Sequence, residues 1–214
     1  MSSVAVIDYG MGNLHSIGKA LQHASSNQKV RITSNPREIL TADRVVFPGV
    51  GAIRDSMAAL VHFGFIDVLN QVIATKPLLG VCLGMQALLS ESEENEGTEC
   101  LGVIPGKVIR FPDNMVDSQG EKLKVPHMGW NQVHQSASHP LWDGISQDSL
   151  FYFVHSYYVK PEDRQDVAGT CCYPAPFVCA VSRENIFAVQ FHPEKSQAVG
   201  LQLLNNFLQW DGVC

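Results

Sequence analysis

Short apolar runs alternate with helix-spaced apolar positions through the first half of the chain. Val4 to Asp8 reads as a buried strand, and Leu14, Ile17, Leu21 and Ala24 then recur on one face of a helix. Val30 to Thr33 predicts a second strand. Arg44 to Pro48 predicts a third, closed by the glycines of the PGVG turn. Met57, Leu60 and Val61 mark another helix, Leu78 to Val81 a fourth strand, and Met85 to Leu89 the start of the helix after it. This rhythm predicts an α/β architecture of three layers: a mostly parallel sheet with helices on both faces.

The second half changes period. Gly102 to Phe111, Leu123 to Val133, Phe151 to Lys160, Val167 to Tyr173, Val178 to Arg183 and Ile186 to Phe191 are strand-like, with turns between them. They predict an antiparallel or mixed extension of the sheet. A closing helix from about Ser196 puts Leu201, Leu204 and Leu208 on one face, with Gln202, Asn205 and Gln209 turned away. Between the halves, Ser90 to Glu99 carries Glu91, Glu93, Glu94, Glu96 and Glu99, and is expected to be a solvated loop.

Composition narrows the classes of function. At 214 residues the chain fits a single domain, and 45% hydrophobic with 17% charged residues excludes a disordered chain, a fibre or a coiled coil. A net charge of −6 makes nucleic acid a poor partner, because phosphate backbones demand clustered Lys and Arg. The cysteines are Cys82, Cys100, Cys171, Cys172, Cys179 and Cys214, with no CxxC pair and no disulfide framework. Free thiols in a reducing cytoplasm are expected. Neither a signal peptide nor a run of about 18 apolar residues is present, so no membrane partner is expected. No metal or cofactor pattern stands out, and none is expected.

The chemistry concentrates in a few places. In Gly80 to Gln86 (GVCLGMQ) an apolar strand runs into a glycine-flanked cysteine and then a helical pattern. That is the strand–turn–helix setting of a nucleophile elbow, with Cys82 in the place of serine. The turn is sharp, so close neighbours must be small. A helix N-terminus at that place favours thiolate. The competing reading is a buried structural cysteine. Of the eight histidines, His192 has the best setting: it ends the apolar run Phe187 to Phe191, and Glu194 follows two residues on. At a strand end it can reach Cys82, while Glu194 fixes its tautomer. Pro48 to Gly51 ends another strand and can point backbone N–H groups at a developing oxyanion, with the amide of Leu83 as a second donor. A phosphate cradle is the competing idea, but neither GxxxxGK[ST] nor GxGxxG is present.

PGVG, GVCLGMQ and FHPE, in this order, resemble the class I (triad) glutamine amidotransferases. DYGMGNLHS at residues 8–16, VPHMGWN at 125–131 and FVHSYY at 153–158 are similar to the glutaminase subunits of imidazole glycerol phosphate synthase, in histidine biosynthesis. The resemblance runs from near residue 4 to near residue 209. It implies one flavodoxin-like amidotransferase domain over 1–214, with no cofactor. It further implies Cys82 as nucleophile, His192 as base and acid, and Glu194 as the orienting carboxylate. Amides of Val50 or Gly51 and of Leu83 would hold the oxyanion. Gln86, His155, Ser156 and Tyr157 would hold the amino-acid head of glutamine.

The resemblance also implies a partner, a (β/α)₈-barrel cyclase subunit that uses the ammonia to form imidazole glycerol phosphate and an aminoimidazole carboxamide ribotide. Asn13, Trp130, Tyr157 and Lys195 would face it, although Trp130 as a plain core residue is the competing reading. Three other functions stay open at this point: a glutaminase serving a different synthase, a Cys–His peptidase, and a binding module that has kept the fold.

Overall fold

The computed structural model describes residues 2–25, 27–117 and 119–213. Side-chain alternation along β1 (Ser3–Ile7) sets up the layers. Val4 and Val6 enter one apolar core, Ala5 and Ile7 another, as the period of two along a strand requires. α1 (Leu14–Ala24) buries Ile17 and Leu21 in the first core. β2 (Lys29–Thr33) pairs parallel with β1. α2 (Pro36–Thr41) starts at Asn35, whose side-chain oxygen accepts from the Arg37 amide at 3.0 Å, with Pro36 in the first helical position. β3 (Arg44–Gly49) lies on the other side of β1. α3 (Ile53–His62) and α4 (Phe65–Ile73), joined through Gly64 at φ 68°, fill the second core with Leu60, Phe65, Leu69 and Val72. β4 (Leu78–Cys82), beside β3, is buried along its whole length.

The helices depart from expectation in three ways. Val61, expected on a buried face, is 67% exposed. α2 is too short to show a period and α4 follows α3 almost without a break, so neither stands out in the sequence as a helix of its own. The helix expected from Met85 to Leu89 is instead the single turn α5 (Leu83–Gln86). It goes no further because another segment takes the carbonyls of the three residues after Gln86. Leu101 N donates to Ala87 O, Gly102 N to Leu89 O, and Val103 and Ile104 N both to Leu88 O, all at 2.8–3.0 Å.

The second half forms the extension. The acidic segment is not merely a solvated loop: it carries β5 (Glu91–Ser92) and β6 (Thr98–Glu99), and Ser92 is buried. β7 (Gly106–Arg110) and β8 (His127–Gln135) are each shorter at the N-terminal end than the apolar runs suggest. The amides of residues 102–104 are spent on Leu88 and Leu89, and Pro126 has no amide to donate. The run expected from Phe151 to Lys160 breaks at Ser156 into β9 (Ser149–His155) and β10 (Tyr157–Pro161). Among the described residues β9 pairs only with β8, while β10 joins β7 and β12 (Pro176–Arg183). β11 (Val167–Cys172) pairs with β12 and β8, and β13 (Ile186–Val189) lies between β12 and β4. α6 (Gln197–Gln209) buries Leu203, Leu204, Phe207 and Leu208 in the same core as α1.

The sheet order β2-β1-β3-β4-β13 is parallel throughout. It has the 2-1-3-4-5 connectivity of flavodoxin-like folds, in which ligands bind beyond the carboxyl ends of the strands. Antiparallel pairing begins at β13–β12 and extends the sheet. No single helix among the described residues is long and apolar enough to cross a membrane.

Packing is tight just past the end of β4, where a Cβ on Gly84 would collide with the Phe47 carbonyl oxygen. Gly84→Ala is expected to destabilise the fold by about 3 kcal/mol, visible as a fall of many degrees in the thermal midpoint. An unchanged midpoint would show that β3 yields at no cost.

Candidate active site

β4 leaves the sheet at Cys82 with φ 55° and ψ −110°, a conformation that few side chains adopt. In register with Gly49 of β3, Cys82 stands where β3 and β4 both end, at the carboxyl edge of the parallel sheet. Beside it the PGVG turn is held from beneath by Tyr9, whose hydroxyl donates to Pro48 O at 3.0 Å and lies 3.0 Å from Ser56 Oγ. Burial, partly offset by Ser56 and reinforced by nearby Cys82, pushes the Tyr9 phenol up to about 12, so it stays a donor.

His192 follows β13, the neighbour of β4. Its amide donates to Tyr152 O at 2.9 Å, which ties the turn to β9. Its Nδ1 donates to Glu194 Oε1 at 2.8 Å, and both side chains are only 3% exposed. Ser196 closes the turn: its hydroxyl donates to His192 O at 2.6 Å and accepts from Tyr152 N at 3.0 Å. Burial works against a charged imidazole here, but the interactions with Cys82 and Glu194 outweigh it and raise His192 to about 10. Among the described residues His192 Nε2 has no hydrogen-bond partner, so the bond to Glu194 leaves this nitrogen free.

A cleft of about 430 Å³ opens over these groups and is lined by Cys82, Leu83, Gln86, Val50, Gly51, His155, Ser156, Tyr157, His192 and Lys195. The structure thus gathers the nucleophile candidate, the oxyanion donors and the substrate-head candidates in one place. Within it Gln86 donates to Tyr157 O at 3.2 Å and to Gln190 Oε1 at 2.9 Å. His155 spends both ring nitrogens inside the chain, on Tyr157 O at 2.7 Å and on His127 at 2.8 Å, so it shapes the wall and offers no free donor. Asn13 and Trp130 lie outside the cleft. Asn13 borders a small crevice behind His192 and Glu194. Trp130 is 45% exposed on β8, which overturns its reading as a core residue.

Sequence reasoning missed Glu94, Gln190 and His127. Glu94 reaches the cleft from the acidic segment and accepts from the Ile53 amide at 2.9 Å. Gln190 had a signal, a polar residue inside the apolar run FAVQF. Among the described residues the other thiols put no second nucleophile in the cleft. Burial pushes Cys100 and Cys171 up to about 12 and Cys179 well up, Cys172 is exposed and away from the cleft, and Cys214 lies outside the described residues. Among the described residues no group of His, Cys, Asp and Glu is placed to hold a metal ion.

A glycine-flanked cysteine on a strained turn, beside a histidine held by a carboxylate, is the site of a thiol enzyme that cleaves an acyl or amide bond. Residues 5–210 match the family described as glutamine amidotransferase class-I. A relative from Methylococcus capsulatus named imidazole glycerol phosphate synthase subunit HisH is 65% identical over 99% of this chain and 98% of its own length. One of the same name from Nitrosococcus oceani is 57% identical over the full length of both. Among solved structures, a glutamine amidotransferase superposes with TM-score 0.71 at 16% identity, covering 96% of this chain and 97% of its own. A putative GMP synthase protein from Thermoplasma acidophilum superposes with TM-score 0.69 at 19% identity, covering 98% and 93%. The chain belongs to the class I glutamine amidotransferases and, within them, to the HisH subunits of imidazole glycerol phosphate synthase.

A histidine raised above its unfolded value near 6.5 stabilises the fold fully below about that pH and loses the contribution as pH rises through about 10. Glu194→Gln removes one of the two groups that raise it. In urea unfolding, the stability gap between wild type and Glu194→Gln is expected to be widest below about pH 6.5 and to narrow towards pH 10. A gap independent of pH would contradict the charged state of His192.

Proposed function

We propose that the chain hydrolyses the side-chain amide of glutamine with Cys82, His192 and Glu194 and passes the ammonia to a cyclase subunit. The observation that carries this reading is the triad arrangement itself: a strained Cys82 beside a buried His192 bound at 2.8 Å to Glu194, at the foot of one cleft.

His192 takes the Cys82 proton on Nε2, the ring position its bond to Glu194 leaves free. The thiolate attacks the amide carbon, and the oxygen that gains charge faces the backbone amides of Leu83 and of Val50 or Gly51. The proton held on His192 passes to the departing nitrogen, which leaves as ammonia while a thioester to Cys82 remains. His192 then draws a proton from water, which attacks the thioester and releases glutamate. Glu194 orients the ring and favours its charged form at each proton transfer. Gln86, Ser156 and Tyr157, with His155 as wall, suit the amino-acid head of the substrate.

The partner reading rests on the surface beside the cleft. On the outer face of β8 and β9, Met128 (61%), Trp130 (45%) and Leu150 (50%) are exposed. Trp130 sits edge-on to Tyr152, and Lys195 Nζ lies 5.8 Å above the Tyr152 ring. Val154 and Lys195 also line the cleft, so a protein seated on this face would cover its mouth. Ammonia freed into water is protonated and lost as a nucleophile, so a covered mouth serves the synthase. The acceptor would be a phosphoribulosyl-aminoimidazole intermediate bound by the cyclase.

Glutamate formation from glutamine, measured for the chain alone and then with the cyclase and its nucleotide, tests the reading. Low activity alone and a large rise in the mixture are expected. Activity indifferent to that partner would point to another synthase; silence in both, with folded protein, would favour a peptidase or a binding module. Cys82→Ala is expected to abolish hydrolysis while keeping the fold and the association with the cyclase. Hydrolysis at the wild-type rate by folded Cys82→Ala would overturn the assignment. Trp130→Asp is expected to weaken association by roughly 30-fold, the loss of a central aromatic anchor at an interface. An unchanged Kd in titration calorimetry would move the docking face elsewhere.

A further inference from the structure

A buried train of polar groups runs behind the cleft, and its last donor is aimed at the sulfur. Gln190 is fully buried between β13 and His192. Its Nε2 donates to Cys82 Sγ at 3.6 Å, and its Oε1 accepts from Gln86 Nε2 at 2.9 Å. Gln86 Nε2 also donates to Tyr157 O at 3.2 Å. The same carbonyl accepts from His155 Nδ1 at 2.7 Å. His155 Nε2 meets His127 Nδ1 at 2.8 Å, and His127 Nε2 meets Asn131 Nδ2 at 3.2 Å.

The ends of this train give it one direction. A carbonyl oxygen only accepts, so Gln86 must turn its amide nitrogen towards Tyr157 and Gln190. Gln190 must then turn its oxygen to Gln86, and only its N–H₂ is left to face the sulfur. A flipped Gln190 would set two amino groups against each other and an oxygen against the sulfur. The same reasoning puts the His155 proton on Nδ1 and makes Nε2 an acceptor for His127. Burial pushes His127 down to about 4 and His155 to about 3, so both rings are neutral at ordinary pH and the direction holds.

We propose that Gln190 is a positioning residue for the amide-cleaving reaction, its N–H held towards Cys82 through Gln86 and the Tyr157 carbonyl, so that it fixes the sulfur and favours thiolate over thiol. This rests on the reading of Cys82 as the nucleophile. A donor helps an anionic sulfur more than a neutral one. The sulfur is also faced by His192 with Glu194 behind it, and by Tyr9 from the end of β1. His155, Tyr157, Glu94 and Lys195 stand on the cleft wall. Gln190 differs from all of these in carrying no titrating proton, so its own charge and orientation stay the same at every pH.

The test is the pH profile of Cys82 alkylation by iodoacetamide, read from the mass of the Cys82 peptide in wild type and in the near-isosteric Gln190→Met. The half-point of the profile is expected to move up by about one pH unit, and kcat for glutamine to fall about tenfold with KM little changed. A superposable profile in folded Gln190→Met, or a change in KM alone, would overturn the proposal. If Gln190→Met does not fold, side-chain amide signals of the ¹⁵N-labelled wild type serve instead. A buried amide that follows the alkylation profile and is silent in Cys82→Ala supports the assignment, and the lack of any such signal refutes it. Because alkylation reports the sulfur directly, failure here is distinguishable from failure of the glutaminase reading, which would appear as a reactive Cys82 without hydrolysis.

Discussion

Everything at this site depends on holding Cys82 in a backbone conformation it would not choose. A non-glycine residue at φ 55° with ψ −110° costs about 1–3 kcal/mol and persists only where its surroundings leave no alternative. Those surroundings are specific. β4 is buried along its length between β3 and β13, so the strand cannot shift to relax the turn. Gly84 lets the following turn press against the Phe47 carbonyl, and the carbonyls that end this turn are taken by residues 101–104. The sharpness of the turn lifts the sulfur off the sheet edge and places the Leu83 amide beside it, so strain and function share one cause.

The antiparallel extension is the other half of the same device. The parallel strands place Cys82, but the seat of His192 comes from β9, through the bond from the His192 amide to Tyr152 O and through Ser196, which bridges the two segments. α6 can pack on this turn because Gly200 has no side chain to strike the Pro193 carbonyl. β9 also brings His155, Val154 and the exposed face beside Trp130. A change in β8 or β9 therefore reaches His192, the cleft wall and the exposed face beside Trp130 together.

The parallel half was legible because its strands are short apolar runs, α1 carries a helical period, and each motif residue ends an apolar run. Cys82 and His192 both close runs of buried residues, so strand register alone brings them to one edge. The extension was harder for a matching reason. Phe151 to Lys160 is one apolar stretch, and only pairing with different partners splits it at Ser156. α5 reads as the start of a long helix, and what stops it is a segment some fifteen residues on. Locally Gln190 shows only as a polar residue in an apolar run and His127 as one histidine among eight; their meaning comes from partners 104 and 28 residues away.

The cleft holds two buried histidines with opposite fates, and burial cannot be what separates them. Both His155 and His192 lose hydration, which favours the neutral ring in each. His155 has no carboxylate beside it: burial, with the nearby rings of His127 and His192, takes it down to about 3 against the pull of the Tyr157 carbonyl. His192 meets a carboxylate and the Cys82 sulfur and rises to about 10. Where neighbouring groups are driven so far apart, their chemistry divides in the same way. The ring that gains charge readily is the one that can accept a proton from Cys82 and return it to the leaving nitrogen. The ring held neutral keeps one direction of hydrogen bonding in the wall, and through Gln86 and Gln190 that direction ends at the same sulfur.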